Sequence, residues 1–282
     1  MPKSCYNETI EFLERVDVFL ITPTYEWQFA PQVENADFTK IAKKAGLGPE
    51  VARLLFERGI QDQESLKKFL EPSLEDLHDP YLLHDMDKAV ERIRQAIEDG
   101  ENILVYGDYD ADGMTSASIV KESLEQLGAE CRVYLPNRFT DGYGPNASVY
   151  KYFIEQEGIS LIVTVDNGVA GHEAIELAQS MGVDVIVTDH HSMPETLPDA
   201  YAIIHPEHPD ADYPFKYLAG CGVAFKLACA LLEEVQVELL DLVTIGTIAD
   251  MVSLTDENRI LVQYGLEMLG HTQRIGLQEM MD

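Results

Sequence analysis

Three carboxylates at alternate positions, Asp108, Asp110 and Asp112, lie in the run Gly-Asp-Tyr-Asp-Ala-Asp-Gly at 107–113, directly after the apolar stretch 103–106. Like charges a few ångströms apart repel strongly, so the cluster calls for a divalent cation to offset them. An acidic turn without metal is the plain alternative, because Asp and Gly favour turns on their own account. An EF-hand calcium loop fits less well: its terminal bidentate Glu is out of place, and an apolar run precedes the loop where a helix is required. Two further apolar runs end in the same kind of chemistry, 161–165 at Asp166-Asn167-Gly168 and 185–188 at Asp189-His190-His191. A lone His is more often structural than a ligand, but adjacent imidazoles after an Asp, in a chain already rich in acidic run ends, are read here as metal-facing groups. Asp250 stands in the apolar surroundings Thr247-Ile248-Ala249-Asp250-Met251-Val252 and wants a cation for its charge. Several carboxylates with one or two imidazoles suit Mn2+ or Mg2+ better than zinc.

The elements that must carry these groups follow from periodicity. Short apolar runs at 103–106, 133–135, 161–165, 185–188 and 202–204 alternate with helical patterns near 114–127, 147–157 and 171–181. Such alternation predicts an α/β fold with a mainly parallel sheet flanked by helices, in which ligands bind at the carboxyl ends of the strands. Before it, 38–69 and 86–97 read as a helical lead-in joined by a Pro-bearing connection at 71–83; after it, 221–235, 237–249 and 259–269 predict a helical C-terminal part. Residues 1–34, with Pro23, Pro31 and Trp27, show no clear period and read as an irregular leader.

Substrate grip is expected from the segment after the second run. Arg138 follows a strand end, and Gly142-Tyr143-Gly144-Pro145 leads into a helix whose free N–H groups suit a phosphate, with Tyr143 offering a face to a base. Gly220 and Gly222 at a helix start present backbone donors, and close helix packing explains them nearly as well. A glycine-rich loop with a solvated Arg is likewise the bland account of 138–145. His205 and His208 sit in a proline-rich polar loop, where ligand-like residues collect without binding anything.

Composition sets the outer bounds. A chain of 282 residues with 46% hydrophobic content can bury a substantial core. No segment resembles a membrane span or a secretory signal, so a cytoplasmic location with no membrane partner is expected. The four cysteines form no C-x-x-C pair, which argues against a disulfide framework or a zinc ribbon. Fifty acidic against 20 basic residues give a formal charge of -30, which opposes long-range attraction of a polyanion while leaving room for a phosphate held locally by metal ions.

In order and approximate spacing, 107–113, Asp166-Asn167-Gly168, Asp189-His190-His191 and Ala249-Asp250 resemble the four successive motifs of the DHH phosphoesterase superfamily. Within it, 107–113, 141–145 (Asp-Gly-Tyr-Gly-Pro) and 220–227 (Gly-Cys-Gly-Val-Ala-Phe-Lys-Leu) are most similar to the RecJ-type exonuclease branch. The likeness runs from about 35 to 270 and includes Arg58-Gly59-Ile60. It implies a DHH catalytic domain over 101–282 after a lead-in at 35–100, with a phosphate-gripping DHHA1 domain and an OB-fold expected beyond Asp282. It implies two ions bridged by Asp166, with Asp110 and its neighbour Asp108 holding one, and Asp112, His190 and Asp250 the other. His191 and Asp166 become the catalytic pair, with His191 facing the scissile phosphate. Arg138, Tyr143, Gly144 and Gly222 stand as substrate-binding candidates. Tyr106 replaces a His that the superfamily's pyrophosphatases carry before the first motif. The implied activity is 5′-to-3′ hydrolysis of single-stranded DNA in repair and recombination, weak on long strands without the later domains. An inactive or truncated scaffold and a short-oligonucleotide phosphodiesterase are the competing readings.

Overall fold

The computed structural model describes residues 35–282, so the leader expected at 1–34 lies outside the described residues. The chain divides into two compact units between Gln61 and Asp62. In the first, α1 (Ala36–Lys44) begins at Asn35, whose side chain accepts from the Asp37 and Phe38 amides, and α2 (Pro49–Glu57) begins with Pro at a position where no amide is needed. The Phe38 and Phe56 rings pack 5.5 Å apart between them.

The second unit opens with α3 (Gln63–Leu70), started by a reciprocal capping box of Asp62 and Ser65. Two single 3₁₀ turns, Leu74–Asp76 and Pro80–Leu82, occupy the Pro-bearing connection before α4 (Met86–Glu98). Then come β1 (Ile103–Tyr106), α5 (Ala111–Gln126), β2 (Cys131–Tyr134), α6 (Ala147–Glu157), β3 (Leu161–Val165), α7 (His172–Ser180), β4 (Asp184–Thr188) and β5 (Ala202–Ile204). All five strands are parallel, in the order β2-β1-β3-β4-β5. From β1 the chain moves outward to β2 and then crosses back to β3 on the other side, so the direction of winding reverses between β1 and β3. Folds of this kind bind ligands at such a reversal.

The sheet is buried on both faces, which is why its central strands read as unbroken apolar runs. Alternate residues part to opposite sides: Ile103, Val105, Leu161, Val163 and Ile204 join one core, Leu104, Tyr106, Ile162, Val185 and Val187 the other. The β5 edge is closed by two side chains, since Asp85 accepts from the Ile203 amide at 3.1 Å and His84 Nδ1 lies 3.3 Å from its carbonyl.

The helical C-terminal part comprises α8 (Gly220–Leu232), α9 (Leu240–Ala249), α10 (Asp256–Leu269) and a short α11 (Ile275–Met281). Every residue of α8 from Gly220 to Leu231 is buried. A helix whose residues, Lys226 apart, are apolar or small on every side must sit inside the protein, and α8 contributes to the first core from the α5 side of the sheet. Among the described residues no helix is long and apolar enough to cross a membrane.

Candidate metal centre

The loop after β1 supplies the first carboxylates. Asp108 is buried and receives the Tyr109 amide at 2.7 Å; burial pushes its carboxyl above the ordinary range, and the Asp110 carboxylate adds to the effect. A Cβ on Gly113 would lie 2.6 Å from Asp108, so only glycine lets the first turn of α5 close over that residue. Asp110 is exposed and caps α5 through the Gly113 amide at 3.0 Å. Asp112, inside the first turn, is 1% exposed and accepts the Gly220 and Cys221 amides at 2.6 and 2.9 Å. The free N–H groups that open α8 are thus taken by a carboxylate 108 residues away in sequence.

After β3, Asp166 adopts φ 61°, a left-handed conformation that is uncommon outside glycine. The Thr164 hydroxyl donates to the Asn167 carbonyl at 2.7 Å, and Asn167 Nδ2 reaches the Val165 carbonyl at 2.8 Å, which lock the turn. Asp166 is 1% exposed, and burial together with the neighbouring Asp112 carboxylate pushes its carboxyl up to about 10. A Cβ on Gly220 would lie 2.5 Å from Asp166 Oδ1, so α8 also backs this residue.

After β4, Asp189 turns away from the other carboxylates and organises the histidines. Its Oδ1 accepts from the His190 amide at 2.7 Å and the His191 amide at 3.1 Å and lies 2.7 Å from His191 Nδ1, while Oδ2 accepts from the Val169 amide at 3.0 Å. Burial opposes its ionisation, yet these bonds and the His191 charge hold its carboxyl below the ordinary value; the same bond raises His191. His190 Nε2 then points among three carboxylates, 3.1 Å from Asp166 Oδ1, 3.6 Å from Asp112 Oδ2 and 3.8 Å from Asp250 Oδ2. Asp250 ends α9, half-buried, with its carboxyl raised chiefly by burial.

One pair of atoms tests whether this centre fits a cation. Asp166 Oδ1 and His190 Nε2 are both buried and only 3.1 Å apart, but neither forms a hydrogen bond among the described residues. Their angle is wrong for one, so two costly buried polar atoms stand side by side without satisfying each other. Ligands aimed at a shared third point have this geometry. Potential ligand atoms fall into the sets Asp108/Asp110/Asp166, Asp112/His190/Asp250 and Asp166/His190/His191, each within 4.8 Å, and oxygen-rich sets of this kind suit a hard divalent ion.

Around this centre stand the other candidates. Tyr143 lies at the mouth, its hydroxyl 2.8 Å from His191 Nε2. Arg138 stacks over the Tyr109 ring at 4.8 Å. The Gly144 carbonyl accepts from Tyr106 at 3.0 Å, so Tyr106 faces this loop rather than the carboxylates. Gly222 is buried in α8, where a Cβ would lie 3.1 Å from Leu218. His205 braces the centre: its Nδ1 accepts the Glu207 amide at 2.9 Å, so Nε2 carries the proton and donates to the His191 carbonyl at 2.8 Å. His208 stacks on His84 with centroids 3.6 Å apart and planes 11° apart. Although these two and Asp210 could offer atoms within 4.8 Å, an ion in the plane of one ring falls well out of the plane of the other. Sequence reasoning named Asp189 without a role and missed the Asp112 partners. Adjacency to two histidines was a signal for the first; nothing local signals the second.

Known proteins share this arrangement of elements. The family model described as "DHH family, N-terminal domain" matches residues 102–247. The single-stranded-DNA-specific exonuclease RecJ of Bacillus subtilis (strain 168) is 47% identical over 252 residues, covering 88% of this chain and 32% of that protein. The crystal structure of RecJ in complex with Mn2+ from Thermus thermophilus is 33% identical with a TM-score of 0.70, covering 86% of this chain and 35% of that one. The Mg2+ complex of RecJ from the same organism is 31% identical with a TM-score of 0.60, over 86% and 31% of the two chains. The chain therefore spans less than half the length of these relatives.

Proposed function

Because the chain belongs to the DHH family, we propose that it hydrolyses phosphodiester bonds of single-stranded DNA with two divalent ions, Mn2+ or Mg2+, as a 5′-to-3′ exonuclease in cytoplasmic DNA repair and recombination. Residues 101–282 form the catalytic domain in this reading and 35–100 its helical lead-in. The observation that carries it is the unsatisfied pair Asp166 Oδ1 and His190 Nε2 at the reversal between β1 and β3. The polarity and the DNA substrate rest on the likeness to RecJ.

Asp108 and Asp110 would hold one ion and Asp112, His190 and Asp250 the other, with Asp166 available to the first set and to His190. Bound divalent ions supply an activated water and neutralise charge that builds on the phosphoryl oxygens. The chain's own contribution is orientation. Asp112 is fixed by two amides of α8, Asp166 by its locked turn, and the histidines by Asp189. His191, 41% exposed, presents Nε2 to the phosphate while Asp189 holds Nδ1. Arg138 and the 137–146 loop grip the strand. Such local contacts answer the formal charge of -30, which disfavours capture at long range.

The test offers a 5′-labelled single strand, a dinucleotide and pyrophosphate, each with Mn2+ and with chelator. Metal-dependent release of the labelled mononucleotide is the expected result. Turnover confined to pyrophosphate, or undiminished in chelator, would overturn the reading; a strong preference for the dinucleotide would move the substrate to short oligonucleotides.

A further inference from the structure

Tyr143 is expected from the sequence to offer its ring to a base, yet its hydroxyl makes the more specific contact. The phenol oxygen lies 2.8 Å from His191 Nε2, and Asp189 Oδ1 lies 2.7 Å from the other ring nitrogen. His191 is therefore held at both nitrogens although its side chain is 41% exposed. With Asp189 accepting at Nδ1, Nε2 bonds the Tyr143 hydroxyl as acceptor when the ring is neutral and as donor, as it would to a phosphate oxygen, when the ring is charged.

The loop is built to deliver that hydroxyl. Gly142 and Gly144 on either side adopt φ 80° and 76°, which side-chain-bearing residues rarely do. The fully buried Tyr106 fixes the Gly144 carbonyl at 3.0 Å, and Asp141 Oδ2 gathers the Tyr134 hydroxyl and the Asn137 amide, each at 2.7 Å. The Tyr143 and His191 rings meet edge to face, 5.7 Å between centroids.

We infer that Tyr143 is a positioning residue that keeps the His191 imidazole aimed at the mouth of the centre until a phosphate oxygen of the substrate replaces the phenol at Nε2. This inference rests on the proposed role of His191 toward the scissile phosphate. It differs from base stacking in what it requires, because stacking needs the ring of Tyr143 and positioning needs its hydroxyl.

Tyr143→Phe and Tyr143→Ala separate the two. Steady-state hydrolysis of a short single strand with Mn2+ should show kcat of Tyr143→Phe lowered roughly tenfold, with KM within about twofold of the original. Nitrogen NMR of His191 should show the Nε2 resonance of Tyr143→Phe displaced, with and without metal. An original kcat and an unmoved Nε2 resonance in Tyr143→Phe would overturn the inference, as would a rise in KM confined to Tyr143→Ala, the stacking result. If the unaltered chain hydrolyses none of the substrates, the proposed function fails by itself. The NMR comparison then decides the Tyr143 contact alone: a displaced resonance upholds it and an unmoved one ends it.

Discussion

At the amino end of the sheet, the buried Arg92 guanidinium bonds both Glu101 oxygens at 3.0 and 2.8 Å and Asp184 at 2.7 Å, and Ser160 adds a bond to Glu101 at 2.9 Å. At the carboxyl end, Asp108, Asp112, Asp166 and Asp250 converge, and among the described residues no Lys or Arg forms a salt bridge to any of them. The carboxyls respond in opposite directions. Glu101 is held below its ordinary value by Arg92, whereas burial drives Asp108, Asp166 and Asp250 up. Buried charge matched by protein stabilises the fold; buried charge left unmatched at the point where the winding reverses is arranged for something the protein must bind.

The sharpest way to break this contrast is Asp166→Asn. Asn tolerates the left-handed backbone, so the fold should stand, and replacing a buried acid that no cation matches by a neutral amide should leave metal-free thermal stability equal or higher. Metal-dependent hydrolysis should fall on the order of a hundredfold or more. A variant that loses stability and keeps turnover would place Asp166 with the structural charges.

Next in size is the converse change at a matched pair. Lys226 and Glu257 are both buried and form an ion pair, with Lys226 also on the His78 carbonyl at 2.7 Å and Tyr213 on Glu257 at 2.5 Å. Lys226→Met leaves Glu257 charged and buried without its cation, which should cost about 3–5 kcal/mol in urea denaturation. Mn2+ affinity of the folded fraction should stay unchanged. A tenfold loss of affinity, roughly 1.4 kcal/mol, would show the two sets of charges to be one.

The third contrast is the dependence on pH. The raised carboxyls bind protons more tightly folded than unfolded, so their stabilisation is fully present below the ordinary carboxylate range. It drains away as pH rises through the folded values, about 10 for Asp166. Metal-free thermal stability should decline between about pH 5 and pH 9, by at most about 1.4 kcal/mol per pH unit for each proton released. Mn2+ should reverse the decline, and its benefit should grow with pH. Stability that climbs over this range without metal would sink the account of Asp166.

How much of this the chain announces depends on sequence distance. Buried parallel strands are unbroken apolar runs and their acidic ends adjoin them, so the sheet, its helices and the gathering of Asp108, Asp110, Asp112, Asp166, His190 and Asp250 were legible. The apolar pattern places the second strand at 133–135, whereas it spans Cys131–Tyr134, because an exposed edge strand carries a weaker pattern. The helix expected over 237–249 begins as a 3₁₀ turn, Val237–Leu239. Nothing in the sequence around Arg92 signals its partner Asp184, which lies 92 residues away. The same distance hides the Asp112 contacts, and Tyr143 advertises a ring while its hydroxyl makes the contact.

The seating of Asp112 against Gly220 and Cys221 ties the order of synthesis to the completion of the candidate metal centre. A ribosome-bound chain that has emerged only through β5 already displays Asp108, Asp110, Asp166 and both histidines, but Asp112 lacks its amide anchors and Asp250 has yet to be made. The candidate centre is thus completed only after the sheet that carries its other groups.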